Sequence, residues 1–95
     1  MAAAENEISA ELLIVNRRGL HARASAKFAA VAGAFDASVR VTKDGITVGA
    51  CSIMGLMMLG AGLGSTITIS ATGAQAREAV ETLAGLIADK FGEGA

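Results

Sequence analysis

Aromatic side chains are almost missing from this chain: it has no tryptophan, no tyrosine and three phenylalanines. Its core must come from alanine, valine, isoleucine, leucine and methionine. An excess of one charge is missing too. Eight basic and nine acidic residues leave a formal net charge of −1. Nucleic-acid domains carry a basic stripe, often with aromatics, so that class is not indicated. The single Cys51 excludes an internal disulfide and fits a reducing compartment. One histidine and one cysteine cannot complete a zinc shell, so no metal is expected, and nothing calls for an organic cofactor. The opening MAAAENEIS lacks a basic start followed by an apolar core. No signal peptide is read there, and a cytoplasmic location is expected. What is present is 95 residues, 53% of them apolar, enough for one small domain with a core of its own.

One stretch raises a different possibility. No charged residue lies between Asp44 and Arg77, and Ile46 to Leu63 is almost wholly apolar. Its length meets the criterion for a membrane span, and Gly60 to Gly64 has the GxxxG pattern. Six glycines from Gly45 to Gly64 cut the run into short pieces, Thr47 and Ser52 interrupt it, and no basic cluster marks either end. A buried globular segment is the better reading.

Residues 1–9 read as a flexible tail. Glu11 to Asn16 reads as a first strand, broken at Arg17-Arg18-Gly19. Ala22 to about Ala34 reads as a helix, with Ala24, Phe28, Val31 and Phe35 along one side. Gly33 is placed to relieve a left-handed cap at its end. Ala37 to Thr42 alternates, with Val39 and Val41 on one face. Asp44-Gly45 predicts a tight hairpin, because both residues tolerate positive φ, and Ile46 to Val48 returns as a strand. Ser52 caps a brief helix through Leu59, which the glycines after it stop. Thr66 to Ala71 alternates with Ile67, Ile69 and Ala71 inward. Thr72 to Gln75 has the pattern of a capping box, and a last helix carries Val80, Leu83, Ala84, Ile87 and Phe91 as its apolar stripe. The order is strand, helix, strand, strand, short helix, strand, helix. One α+β domain over residues 1–95, a four-stranded sheet covered on one face by helices, buries every stripe.

His21 is the only histidine, and it stands just ahead of the first helix. The first turn of a helix leaves backbone N–H groups without partners, and with the dipole they favour an anion. A phosphoryl group on the imidazole is such an anion. The same field favours a neutral ring, whose free nitrogen is a nucleophile. Arg23 and Arg18 can add charge-assisted hydrogen bonds to phosphoryl oxygens. On position alone, a plain surface histidine and ordinary solvated arginines remain the competing reading.

Two segments together narrow this. Val15-Asn-Arg-Arg-Gly-Leu-His-Ala-Arg-Ala-Ser25 is similar to the active-site segment of the HPr family, phosphocarriers of the bacterial phosphoenolpyruvate-dependent phosphotransferase system. Ser52-Ile-Met-Gly-Leu-Met-Met-Leu59 resembles that family's regulatory-serine and docking helix. Order and spacing both fit, and the resemblance covers residues 10–90 or so. It implies an open-faced sandwich of four antiparallel strands under three helices. It also implies that phosphorylated enzyme I gives its phosphoryl group to Nδ1 of His21, assisted by Arg23, and that the carrier passes it to an EIIA-type protein. Such a chain is a carrier and not an enzyme in the turnover sense. Ala24 stands where the family usually has proline, which would pre-set the helix start. Cys51 stands where many sugar-system members have lysine. Both changes look more like the nitrogen-type and alphaproteobacterial forms, and so point to a regulatory role.

The resemblance makes Ser52 a target for HPr kinase/phosphorylase, a role compatible with helix capping. A phosphate there would place about two negative charges on the docking face and repel an acidic partner. The apolar residues of this short helix cannot all face inward. Leu56 and Leu59 read as core. Ile53, Met54 and Met57 read as docking residues, with Leu20 extending the patch, since methionine repacks against different partners. Cys51 reads as a small packing residue. The expected protein is a monomer without membrane or nucleic-acid partners. The alternatives are a regulatory module on the same fold switched through Ser52, and a membrane-associated peptide organised by Ile46 to Leu63.

Overall fold

A computed structural model describes residues 7–94 of the chain. Strand β1 (Ile8–Leu13) is followed by helix α1 (Ala22–Gly33), strands β2 (Ser38–Lys43) and β3 (Ile46–Gly49), helix α2 (Ile53–Met58), strand β4 (Thr66–Thr72) and helix α3 (Ala76–Ala88). A 3₁₀ turn at Lys90–Gly92 ends the described chain's regular structure. The βαββαβα order matches the expectation. The sheet order is β1-β4-β2-β3, with every pair antiparallel.

Alternation within the strands decides which face is covered. Ile67, Ile69 and Ala71 of β4 are buried, as are Val39 and Val41 of β2. Ile69 lies between Ala10 of β1 and Val41 of β2 in register. Their neighbours Ser9, Glu11, Arg40, Thr68 and Ser70 take the opposite, uncovered face by the same two-residue period. Helix α3 packs over β1 and β4, and α1 packs against α2 and α3. The helices supply Ala24, Phe28 and Ala32 from α1, Leu56 from α2, and Ala79, Val80, Leu83 and Ile87 from α3. With few aromatics, the core closes on branched aliphatics and alanines, whose short side chains let helix and sheet approach closely.

The β2–β3 hairpin turns at Asp44 and Gly45, with φ of 51° and 81°, as the Asp-Gly pair predicted. The long apolar run becomes β3, the six-residue α2 and a loop. Among the described residues, no helix is long and apolar enough to cross a membrane.

Several local expectations are corrected. Strand β1 begins at Ile8, so Ile8 and Ser9 belong to the sheet and not to a tail; residues 1–6 lie outside the described residues. The strand ends at Leu13, and Asn16 is buried in the loop beyond it. Gly33 is the last residue of α1, and the helix ends through Ala34 at φ −80° without a left-handed cap. Val31 and Phe35 only flank the core, while Ser25 and Ala32 are buried, because the buried stripe rotates toward α2 and α3. The capping box does not form, since Thr72 stays in β4 and Gln75 makes no side-chain cap. The Gln75 carboxamide oxygen instead accepts the Asp36 backbone N–H at 2.8 Å, tying the end of α1 to the start of α3. Phe91 is buried, but beyond the helix: Lys90 and Phe91 have φ of 57° and 56°.

Candidate functional site

His21 is the N-cap of α1, with extended backbone (φ −73°, ψ 179°). Its carbonyl accepts the Ser25 N–H at 2.8 Å, closing the first turn. No side chain caps this end, and no acidic residue lies in the first turn. The helix start therefore keeps its free donors and its positive dipole end. Ala24 is fully buried at the third helical position, so the helix begins at Ala22 without the family's proline.

The loop ahead of the histidine is set by close backbone packing. Leu20 N–H donates to the Ala61 carbonyl at 2.9 Å. Gly19 sits at φ 64°, and a Cβ there would collide with the Ala61 carbonyl oxygen. Ser25 Oγ donates to the Leu20 carbonyl at 3.1 Å. Leu20 is therefore core, 5% exposed, and does not extend the docking patch: the bond to Ala61 turns its side chain inward and leaves His21 at the surface.

His21, Arg17, Arg18, Arg23, Glu93 and Gly94 line a cleft of about 320 Å³. The structure thus brings together the expected His21, Arg23 and Arg18, and adds Arg17. The three arginines are exposed, while His21 is only partly so.

Two residues of this site escaped the sequence reading. Glu93 Oε2 and His21 Nε2 are hydrogen-bonded across 72 positions of chain. Asn16 is fully buried, and its Nδ2 donates to the Gly19 carbonyl at 2.9 Å and to Glu93 Oε1 at 3.1 Å. Hydrogen bonds from His21 and Asn16, then the nearby charges of His21 and Arg18, outweigh desolvation and hold the Glu93 carboxyl below its ordinary value. An asparagine ahead of a glycine turn is a local signal that could have drawn notice to Asn16. Nothing local marks Glu93.

Ser52 is the N-cap of α2, and its Oγ accepts the Gly55 N–H at 3.0 Å. It is exposed and does not line the histidine cleft. Ile53, Met54 and Met57 are 42%, 70% and 41% exposed, while Leu56 and Leu59 are core. Met58, at 78%, extends the exposed surface. Cys51 is exposed, contrary to the packing role expected of it, because it lies in the turn between β3 and α2. Among the described residues, no group of histidine, cysteine and acidic residues could hold a metal ion.

The antiparallel sheet with three helices on one face is the open-faced α+β sandwich. A family model described as the PTS HPr component phosphorylation site matches residues 8–89. The phosphocarrier protein HPr of Cupriavidus necator is 52% identical over 81 residues, covering 85% of this chain and 91% of the relative. The phosphocarrier protein NPr of Shewanella violacea is 37% identical, covering 92% and 96%. The crystal structure of an HPr from Thermoanaerobacter tengcongensis superposes with a TM-score of 0.89 at 41% identity, covering 93% of this chain and 99% of that one. The chain belongs to the HPr family of phosphocarrier proteins of the phosphotransferase system.

Proposed function

We propose that His21 accepts a phosphoryl group from phosphorylated enzyme I at Nδ1 and gives it to an EIIA-type protein. The observation that carries this reading is the position of His21: an uncapped helix N-terminus inside a cleft with three arginines. The lone pair of Nδ1 forms the new N–P bond as the bond from phosphorus to enzyme I breaks, and that electron pair stays on enzyme I. Free N–H groups of the first turn and the Arg23 guanidinium then neutralise the phosphoryl oxygens, with Arg18 beside them. Exposed arginines and backbone donors hold the group without enclosing it, so a second protein can remove it.

Ile53, Met54 and Met57 form the docking surface for enzyme I in this reading. Ser52 is the regulatory site, a substrate for HPr kinase/phosphorylase. Its hydroxyl already caps α2, and a phosphate there keeps acceptors at the helix start while placing charge beside the apolar patch.

The deciding experiment is intact-mass analysis after mixing the protein with phosphoenolpyruvate, magnesium and enzyme I, beside His21→Ala. The expected result is one acid-labile phosphoryl group on the wild type and none on the variant. No gain with active enzyme I rejects the carrier reading and leaves a regulatory module read through Ser52.

A further inference from the structure

The contact between Glu93 and His21 depends on residues far apart in sequence. After α3 the chain reverses through Lys90 and Phe91, both left-handed and neither glycine. Such a conformation persists only where surroundings over-determine it. Here the Phe91 ring is 1% exposed, Lys27 Nζ donates to the Phe91 carbonyl at 2.7 Å, and Glu93 N–H closes back on the Lys90 carbonyl at 2.9 Å. The reversal carries Glu93 to the start of α1, where one carboxylate oxygen meets His21 and the other takes the Asn16 bond.

Asn16 has a cost that packing does not explain. Its Oδ1 is buried with no hydrogen-bond partner among the described residues, and a buried unpaired acceptor is unfavourable. Rotating the amide would point Oδ1 at two oxygens, the Gly19 carbonyl and Glu93 Oε1, so the orientation is forced. The side chain is held for its two N–H bonds: one shapes the loop before His21 and the other aims Glu93.

We propose that Asn16 and Glu93 are positioning residues for His21, with Asn16 orienting the Glu93 carboxylate so that it keeps the proton on Nε2 and leaves the lone pair on Nδ1. The assignment rests on the phosphocarrier reading for its purpose but not for its geometry. A carboxylate accepts only from a protonated ring nitrogen, so its bond to Nε2 selects one tautomer. As phosphoryl joins Nδ1 the Nε2 proton stays in place, and the positive charge gained by the ring lies against the carboxylate. When the group leaves, the electron pair of the N–P bond returns to Nδ1, and no proton has to move in either direction.

The test is long-range ¹H–¹⁵N NMR of His21 at a pH where the ring is neutral, on wild type, Glu93→Gln, Glu93→Asp and Asn16→Asp. The wild type is expected as the Nε2–H tautomer with a slowly exchanging Nε2 proton. Glu93→Gln and Asn16→Asp should raise the Nδ1–H population and speed that exchange, and Glu93→Asp should restore part of the wild-type pattern. Phosphoryl acceptance from enzyme I should fall about tenfold in Glu93→Gln, the size expected for one lost hydrogen bond to a charged group. If folded Glu93→Gln keeps the wild-type tautomer ratio and exchange rate, the proposal is overturned, whatever Asn16→Asp does to folding. A tautomer shift in a protein that enzyme I does not phosphorylate would uphold the positioning and reject the carrier function.

Discussion

The backbone N–H of Leu20 donates to the carbonyl of Ala61 at 2.9 Å, and this bond, together with those joining Ile14 to Gly64 and Ser65, seats the histidine loop on the loop that follows α2. Gly19 makes the approach possible, since it has both a positive φ and no room for a Cβ. Gly19→Ala should lose about 2–4 kcal/mol of stability in urea unfolding, combining backbone strain with a backbone clash. Gly45 also has positive φ but open space around it, so Gly45→Ala should lose only the left-handed backbone penalty of about 1–2 kcal/mol. Equal losses at the two positions would mean that the contact with Ala61 does not matter.

Arg23 is exposed and lines the cleft beside His21. Arg23→Ala should leave the unfolding midpoint nearly unchanged and lower kcat/KM for transfer from enzyme I. A lost charge-assisted hydrogen bond of about 1.5–3 kcal/mol corresponds to about a 10- to 100-fold reduction. Arg23→Lys should recover part of the rate, because it keeps the charge without the planar fork. Stopped-flow transfer kinetics decide this, and an unaffected rate in Arg23→Ala removes Arg23 from the mechanism.

Ser52 caps α2, and substitution can separate that structural role from the regulatory one proposed for it. Ser52→Ala removes the acceptor for Gly55 N–H and should cost about 1 kcal/mol. Ser52→Asp keeps a cap acceptor, so its stability should stay close to wild type while its KM for enzyme I rises. An unchanged KM in the aspartate variant would show that charge at this site does not reach the docking surface.

Met54, at 70% exposed, contributes little to the core. Met54→Asp should therefore change stability by no more than about 0.5 kcal/mol, yet weaken enzyme I binding measured by calorimetry. Retained affinity would move the docking surface away from α2.

Glu93 makes a pH prediction whose sign follows from its lowered pKa. The unfolded carboxyl titrates near its ordinary value of 4.5, and the folded one below it. Its stabilisation is then complete above 4.5 and is lost as the pH falls through the lowered folded value, since the unfolded state binds the proton first. Wild type and Glu93→Gln should differ most in stability near neutral pH and converge in acid. Parallel curves from neutral to acid would contradict the hydrogen bonds from His21 and Asn16 as the cause.

Much of this protein was legible in the linear chain, because local rules set it. Two-residue alternation marked the covered faces of β2 and β4, Asp44-Gly45 marked the hairpin, and Ser52 marked the start of α2. The His21 segment and the Ser52 segment carried the family resemblance. Each depends on residues within a few positions of one another, where backbone sterics and side-chain period act directly. The tertiary structure decided what depends on distant partners. It made Leu20 core by pairing its backbone with Ala61, exposed Cys51 at a turn, and turned Gln75 from capping its own helix to holding Asp36. Above all, it reversed the chain at Phe91 to bring Glu93 onto His21 beside buried Asn16. No short-range pattern encodes that contact, because it exists only once burial of the Phe91 ring and the Lys27 bond hold a left-handed backbone against its own preference.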